Sequence, residues 1–328
     1  MKGRVLITGA SGFVGYHLIE EALKNNLEVF AAVRKSSKTD HLAGFDIQYT
    51  CPDFNDVASL KRDILEKQYD YIIHAAGITS ARSEQEYNDV NAGYTNNLAL
   101  AVQESGIRLK KFVLISSLAA VGPLNTLEGI ITETTPPHPI TAYGRSKLLG
   151  EENLKAFPEL NYTILRPTGV YGPRDRGIFI FFKQVSKGIE PYIGRDEQKF
   201  SFIYAADLAR AAVKALYAGN RKTYNLSDGN FYGRYELGDL TKSILNQKTA
   251  KFHLPVKFVK FIAYLSEKYC YLSNRPAILN IEKLSELIAV NWYCSIAEAK
   301  ADLGFSPEYD LRSGLTETLN WYRLNKWI

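Results

Sequence analysis

The chain has 328 residues, 46% of them hydrophobic and 23% charged, which is typical of a globular protein whose core is large enough to need no disulfides. Its 40 basic and 35 acidic residues leave a net charge of +5, which is spread along the chain and too small to indicate nucleic-acid binding. Three cysteines without metal-ligand spacing, no signal-peptide pattern and no apolar run of ~18 residues favour a cytoplasmic protein without a metal site or a membrane span.

The first half of the chain alternates apolar runs with helical patterns. The runs that predict buried strands lie at 4–9, 27–33, 47–51, 69–77 and 110–117. The stretches with helical periodicity lie at 15–26, 57–67 and 87–106. Apolar strands separated by helices are typical of a parallel sheet that is covered on both faces. The pattern therefore predicts an α/β fold with a Rossmann-type, doubly wound parallel sheet.

Three glycines, Gly9, Gly12 and Gly15, recur at every third position where the first strand passes into the first helix. Glycine at such a junction permits a tight turn, lets the backbone approach a pyrophosphate and allows close helix–strand packing. The start of the helix adds unpaired N–H groups and a partial positive charge, which both favour a bound phosphate. Because a strand precedes the glycines and a helix follows them, a dinucleotide-binding loop is preferred over a simple turn.

The end of the second strand carries Arg34 and Lys35 where an NAD-specific site would carry a carboxylate. A guanidinium can pair with a 2′-phosphate through two hydrogen bonds and can stack on adenine. We therefore expect NADP(H) as the cofactor and keep NAD(H) as the alternative, in which the two cations are solvated surface charges. Asp53, after the third strand, can accept a hydrogen bond from the adenine amino group or cap a helix.

The pattern changes in the second half of the chain, where glycine and proline become frequent and the last hundred residues are mostly helical and rich in aromatic side chains. Residues 200–229 again have the pattern of a strand, a helix and a strand. We expect residues 1–172 to form the dinucleotide-binding domain, with 200–229 returning to it. Residues 173–199 and 230–328 are expected to form a smaller, mostly helical substrate lobe.

Candidate catalytic residues lie beyond the fifth predicted strand. Tyr143 and Lys147 are four residues apart on a helical pattern, which puts both on one helix face. Ser116 and Ser117 end the strand, at the edge where ligands bind in such sheets. With TGASGFVG and LRPTGVYGPR, these features make nearly the whole chain resemble the extended short-chain dehydrogenase/reductase family, which includes the epimerase/dehydratase-type enzymes. The resemblance is closest to the branch of hydroxysteroid dehydrogenases and dihydroflavonol reductases, and it implies an NAD(P)-dependent enzyme.

The resemblance also implies a role for each catalytic residue. Tyr143 would be the general acid toward a carbonyl oxygen, although a free phenol, with a pKa near 10, is poorly matched to neutral pH. Lys147 would lower that pKa and hold the nicotinamide ribose. Ser117, which occupies the family's Ser/Thr position counted back from Gly122, would hydrogen-bond the substrate oxygen. Asn91 matches a family asparagine that lines the site, with an ordinary helix-surface amide as the alternative.

The cofactor path implied by the family runs along two further segments. Residues 74–77 pass their backbone along the cofactor, and residues 167–170 flank the nicotinamide. His74 itself is expected to be a packed strand residue rather than an acid. The implied cofactor contacts are Gly9, Ser11, Gly12, Phe13, Val14, Arg34, Lys35, Asp53, Phe54, Ala75, Ala76, Gly77, Tyr143, Lys147, Pro167, Thr168, Gly169 and Val170.

Three features distinguish the branches of the family. Members that act on nucleotide-sugars carry an arginine where this chain has Phe200, and the neighbouring Lys199 replaces it imperfectly. Dehydratases carry an Asp-Glu pair where this chain has Leu118 and Ala119. Arg34 favours an exchangeable NADPH. We therefore expect a ketone reductase, with a nucleotide-sugar epimerase or dehydratase and a non-catalytic dinucleotide sensor as the alternatives.

Residues 252–272 are apolar and aromatic, with lysines at positions 257, 260 and 268. A helix of this kind can cover an apolar pocket, lie on a membrane surface or pack against the core. The segment favours a lipid-like substrate, such as a 3-oxo-sphingoid, a ceramide or a sterol, and allows contact with the inner face of the membrane. A homodimer is compatible with the family. The expected walls of the lipid channel are Phe200, Phe202, Phe258, Phe261, Ile262 and Leu265.

Overall fold

A computed structural model describes residues 2–272 and 280–328, and the side chains of residues 269–272, including Cys270, lie outside that description. The strands are β1 (Arg4–Thr8), β2 (Glu28–Ala32), β3 (Gln48–Thr50), β4 (Tyr71–His74), β5 (Lys111–Ile115), β6 (Tyr162–Pro167), β7 (Gly169–Tyr171), β8 (Ile189–Ile193), β9 (Lys199–Phe200), β10 (Phe202–Tyr204), β11 (Lys222–Leu226), β12 (Tyr232–Gly233) and β13 (Ala250–Leu254).

The helices follow the strands in the alternation that the sequence predicts. They are α1 (Phe13–Lys24), α2 (Val57–Lys67), α3 (Glu84–Tyr87), α4 (Tyr94–Ser105), α5 (Ala142–Lys155), α6 (Phe179–Ser186), α7 (Ala205–Lys214), α8 (Glu236–Leu245), α9 (Val256–Leu272), α10 (Ile281–Ile288), α11 (Ala297–Leu303) and α12 (Leu311–Leu324). Short 3₁₀ helices lie at Asp40–Leu42 and Leu118–Ala120, and a π-helix lies at Asn88–Gly93.

Seven strands form one parallel sheet in the order β11-β6-β5-β4-β1-β2-β3. Helices α1 and α7 cover one face, where Leu18 and Leu208 are fully buried, and α2, α4 and α5 cover the other, where Ile64 and Leu98 are buried. The prediction of a doubly wound parallel sheet is confirmed. The order reverses beside β1, and in such sheets the carboxyl ends of the strands at this point form a ligand-binding crevice.

The second part of the chain adds small sheets and helices. β10 pairs with β7, β9 with β12 and β13 with β8, each pair separate from the main sheet. A third core, which includes Tyr171, Phe182 and Tyr322, joins these strands to α6, α8 and α12. β11 pairs with β6 as the edge strand of the main sheet. The division into a cofactor domain and a substrate lobe, with 200–229 returning to the first, stays a prediction.

Two helix predictions were wrong in detail. The helix expected over 87–106 is α3, a π-helix and α4 in succession. The helix expected over 252–272 begins at Val256, because residues up to Leu254 extend β13 along β8. Pro255 explains this boundary, since a residue that precedes proline is driven toward extended backbone.

Candidate active site

The glycine loop joins β1 to α1 in the form that a dinucleotide requires. Gly9 has a φ of +68°, and a Cβ there would lie 2.6 Å from the Ala75 carbonyl oxygen. A side chain at Gly15 would collide with the carbonyl oxygens of Gly9 and Ala10. α1 begins after Gly12 with no side-chain cap and no acidic residue in its first turn. Its first N–H groups therefore remain open to an anion, so the loop fits a pyrophosphate.

The end of β4 lies against this loop. The Thr8 hydroxyl accepts hydrogen bonds from the N–H groups of Ala75 (3.1 Å) and Ala76 (2.9 Å). The Thr8 hydroxyl therefore donates its own hydrogen to Nδ1 of His74, 2.7 Å away. His74 is fully buried, and burial lowers the pKa of its imidazole to about 3. His74 is thus a neutral, packed strand residue, as the sequence predicts.

Asn91 ties the end of β4 to α5. Its Oδ1 accepts from the Ile78 N–H at 2.8 Å, and its Nδ2 donates to the Ile78 carbonyl and, at 2.9 Å, to the Ser146 hydroxyl. The side chain is only 2% exposed, so the interpretation as a helix-surface amide was wrong. A Cβ at Gly77 would lie 2.9 Å from Oδ1 of Asn91 and 3.9 Å from Nζ of Lys147. Gly77, which is predicted to lie on the cofactor path, is therefore directly beside the candidate catalytic residues Asn91 and Lys147.

Tyr143 lies in the first turn of α5, where Thr141 caps the helix by accepting from the Gly144 N–H at 3.0 Å. The Ser117 hydroxyl lies beside the phenol and favours its ionised form, and the Tyr143 ring lies edge-on to Tyr87 with centroids 6.1 Å apart. Burial raises the pKa of Tyr143 to about 12, against the opposing effect of Ser117. The phenol is therefore protonated at neutral pH and can donate a proton.

Lys147 follows one helical turn later. Its Nζ donates to the Ile115 carbonyl at the end of β5, at 2.7 Å. Burial lowers the pKa of the ammonium to about 8, although the carboxylate of Glu151 favours the charged form. A lysine ammonium has three N–H donors, so two remain for a ligand.

A buried ion pair behind the site was missed by sequence reasoning. Glu151 is fully buried and accepts two hydrogen bonds from Arg166 of β6, at 2.9 and 2.6 Å, and one from Ser116 at 2.5 Å. Ser116 is thus engaged away from the site, whereas Ser117 reaches Tyr143. The only available signal was that Glu151 lies four residues after Lys147, on the same helix face.

The residues expected around the adenosine lie at the ends of β2 and β3. Arg34 and Lys35 are exposed, and neither side chain makes an ion pair within residues 2–272 and 280–328. Asp53 accepts from the Asn55 N–H at 2.9 Å in a turn, whereas Asp56 caps α2. The helix-cap interpretation of Asp53 was therefore wrong, and its carboxylate remains partly available to a ligand.

The remaining predicted contacts flank this path. Phe54 stacks against His74, with ring centroids 6.2 Å apart. Pro167 ends β6, and Gly169 and Val170 are in β7. The Thr168 hydroxyl is buried and has no hydrogen-bond partner among the described residues. The loop that holds Gly9 and Gly12 also carries Ser11, and Phe13 and Val14 are the first two residues of α1.

The channel expected for a lipid chain is not formed by the six residues proposed for it. Phe202 is in the core with Tyr171 and Tyr232, and Phe200 is half-buried beside it. The α9 members of the set are instead exposed to solvent, because Val259 and Ala263 occupy the buried face of that helix. The exposed fractions are 52% for Phe258, 59% for Phe261, 41% for Ile262 and 49% for Leu265.

The described residues contain no group of three His, Cys, Asp or Glu side chains that could hold a metal ion. No helix in the same ranges is long and apolar enough to cross a membrane.

Comparison with known proteins identifies the family. The sequence profile described as "NAD dependent epimerase/dehydratase family" matches residues 5–227, which is more than half of the chain. The chain belongs to this family. It is therefore an NAD(P)-dependent enzyme of the extended short-chain dehydrogenase/reductase type, as the sequence motifs indicate.

Relatives within the family differ in activity. The chain is 26% identical over its full length to a ceramide reductase from Caulobacter vibrioides, covering 96% of that protein. It is 28% identical to a sterol-4-alpha-carboxylate 3-dehydrogenase (decarboxylating) from Candida albicans, with 97% of each chain covered. Epimerases are equally similar in sequence.

Solved structures support the fold. The UDP-glucose 4-epimerase of Thermus thermophilus, in complex with NAD, superposes with a TM-score of 0.79 at 22% identity, covering 98% of this chain and 99% of that one. Helices and strands therefore match over nearly the whole length.

Proposed function

We propose that the protein is an NADPH-dependent oxidoreductase that reduces a ketone of an apolar, lipid-like substrate to a secondary alcohol. The observation that carries the proposal is the grouping of Tyr143, Ser117 and Lys147 at the edge of the sheet beside Gly77. The similarity to a ceramide reductase and a sterol dehydrogenase supports a lipid-like substrate.

The catalytic step follows from the protonation states of these groups. When bound, NADPH supplies the hydride that adds to the carbonyl carbon. Tyr143 donates its phenolic proton to the carbonyl oxygen and later recovers one from solvent. Ser117, which lies beside the phenol, donates a hydrogen bond to the same oxygen as charge develops on it. A phenol that burial keeps protonated is suited to the direction of reduction.

The remaining groups hold the cofactor. The free N–H groups of Lys147 bind the nicotinamide ribose, and Asn91, whose amide is fully used within the protein, positions the elements around it. Thr168 offers an unpartnered hydroxyl next to the nicotinamide path. Arg34 and Lys35, exposed and unpaired in the described ranges, are suited to the 2′-phosphate. We therefore propose NADPH over NADH.

A nucleotide-sugar is a weaker candidate for the substrate. Its diphosphate needs a cation, and Phe200 provides none. The neighbouring Lys199 lies with its Nζ over the Phe231 ring, 4.8 Å from the centroid. The similarity to epimerases keeps this class as the competing hypothesis, because the fold and the family are shared by both.

We also propose that α9 meets a lipid surface. Its outward side combines the exposed apolar residues listed above with exposed Lys257, Lys260 and Lys268. Apolar side chains interleaved with lysines are typical of helices that lie in the plane of an anionic bilayer. A surface of this kind would bring the enzyme to a membrane-dissolved ketone.

A test of the proposed function is NADPH oxidation with a series of 3-ketolipids of increasing chain length, a 3-ketosteroid and UDP-glucose. We expect turnover of the long-chain ketones, rising by roughly fourfold at most per added methylene as each buries about 0.8 kcal/mol. Tyr143→Phe serves as the inactive control. Turnover of UDP-glucose with no response to any ketone would contradict the proposal.

A further inference from the structure

The first turn of the catalytic helix α5 is held by a helix from the distant end of the chain. Glu282 of α10 accepts a hydrogen bond from the Ala142 N–H at 2.7 Å. Glu286, one turn later, accepts from the Thr141 hydroxyl at 3.0 Å. Both contacts are made by the two residues that immediately precede Tyr143. Both carboxylates lie near the partial positive charge of the helix N-terminus, and Glu282 also accepts from one of its unpaired N–H groups, so both are favourable there.

An arginine connects these contacts to a third helix. Arg145 donates from Nη2 to Glu282 of α10 at 3.1 Å. It also binds Glu84 of α3 through two hydrogen bonds of 2.8 Å. α3 ends at Tyr87, the ring that lies against Tyr143. Arg145 therefore links the turn that carries Tyr143 to α10 on one side and to α3 on the other.

We propose that Glu282 and Glu286 are positioning residues for catalysis: α10 clamps the start of α5, and thereby holds the Tyr143 phenol against Ser117. The proposal rests on the function proposed above for Tyr143. Thr141 caps only the Gly144 N–H, so the Ala142 N–H depends on Glu282 for its acceptor. Without α10, the turn that carries Tyr143 would lose this bond and fray.

The clamp also acts on the proton that Tyr143 donates. Tyr87 of α3 packs against the phenol ring, Ser117 lies beside its hydroxyl, and Lys147 lies one turn along the same helix. The charge of Glu286 of α10, which also pairs with Lys283 at 2.9 Å, acts on the phenol from the neighbouring helix. Burial is the main cause of the raised pKa of Tyr143, and the charge of Glu286 adds to it. Removal of that charge should therefore lower the pKa of the phenol.

The test uses Glu286→Gln and the double variant Glu282→Ala/Glu286→Gln, which leaves the Ala142 N–H without a side-chain acceptor, in the full-length protein. Glutamine keeps an acceptor oxygen for Thr141, so the single variant removes the charge of Glu286, and with it the ion pair to Lys283, but not the contact with α5. Glu152→Gln is the matched control, because Glu152 is exposed on α5 and its side chain makes no ion pair within the described ranges. Hydrogen exchange of residues 142–146 is measured first, since it requires no substrate.

We expect exchange in this turn to rise about tenfold in the double variant, the worth of one lost charge-assisted hydrogen bond, and not to change in Glu152→Gln. We expect kcat to fall about 10- to 100-fold while the KM for NADPH stays within about twofold, because the glycine loop is untouched. In Glu286→Gln, the pKa of Tyr143, measured as the difference in ultraviolet titration between this variant and Glu286→Gln/Tyr143→Phe, should be lower than in the unmodified protein.

Unchanged exchange and unchanged kcat in the double variant would overturn the clamp. An equal loss of kcat in Glu152→Gln would also overturn the clamp, because the effect would then come from the charge of the helix alone. Increased exchange in a protein that reduces no ketone would support the clamp and would count against the proposed function, so the two failures are distinguishable.

Discussion

At the scale of single residues, the choice of cofactor depends on Arg34. Its guanidinium is exposed at the end of β2 and has no acidic partner in the part of the chain that the structure describes. Arg34→Ala should weaken NADPH binding by about 10- to 100-fold, the range of a hydrogen bond to a charged group, and leave NADH binding nearly unchanged. Fluorescence titration with both cofactors measures this. Tighter binding of NADH than of NADPH by the unmodified protein would contradict the prediction.

The pH dependence of cofactor binding should follow Lys147. Its pKa is lowered to about 8, so the ammonium loses its proton as the pH rises through that value. The affinity for NADPH should therefore be constant below pH 8 and fall by up to about tenfold per pH unit above it. In Lys147→Met the affinity should be lower throughout and nearly flat. A flat profile to about pH 9.5 in the unmodified protein would show that the ammonium does not hold the cofactor.

Residue identities in the site differ in how readily the sequence reveals them. The pairing of Tyr143 with Lys147 is local, because four residues on a helix define it. The distinction between Ser116 and Ser117 depends on which way each side chain points, and it was anticipated only through the family pattern. Glu282 and Glu286 lie about 140 residues from the turn that they hold. No local pattern predicts a contact across that separation.

At the scale of elements, α5 is fastened to β6 by the Glu151–Arg166 pair. Both side chains are nearly or fully buried. Glu151→Gln would leave the guanidinium buried without its counter-charge, at a cost of about 3–5 kcal/mol in the free energy of unfolding. Urea unfolding measures this loss.

The matched control for the ion pair is again Glu152→Gln. Because Glu152 is exposed, its substitution should change the free energy of unfolding by no more than about 0.5 kcal/mol. A loss below about 1 kcal/mol in Glu151→Gln would mean that the pair is not a main support of α5.

The elements of the main sheet could be read from the sequence because their strands are continuous apolar runs bounded by turns. β13 could not be read in this way. Its residues Ala250–Leu254 alternate in polarity and are mostly exposed, and the strand exists because β8 lies alongside it. The π-helix beside Asn91 was also missed. Asn91 lies within the π-helix and makes hydrogen bonds to Ile78 and Ser146. Both partners are distant in sequence, so no local pattern predicts this part of the helix.

At the scale of the whole molecule, α9 should direct the protein to anionic membranes. Phe261→Asp should reduce the fraction of protein that sediments with anionic vesicles. Lys257→Glu/Lys260→Glu should abolish the preference for anionic over neutral lipid, because each lysine contributes about 1 kcal/mol to the free energy of binding to an anionic surface. Leu324→Asp is the control, because Leu324 is 83% exposed but lies on α12. Equal loss in the control, or no vesicle binding by the unmodified protein, would refute the lipid surface.

Net transfer of hydride to the substrate separates a reductase from an epimerase, which returns the hydride to its own substrate. Incubation with NADPH deuterated at the transferable position and a long-chain 3-ketolipid, followed by mass spectrometry of the lipid, measures this most directly. We predict one deuterium on the new carbinol carbon for each NADP⁺ formed, and none with Tyr143→Phe. An undeuterated lipid, together with epimerised UDP-glucose and no net formation of NADP⁺, would contradict the account.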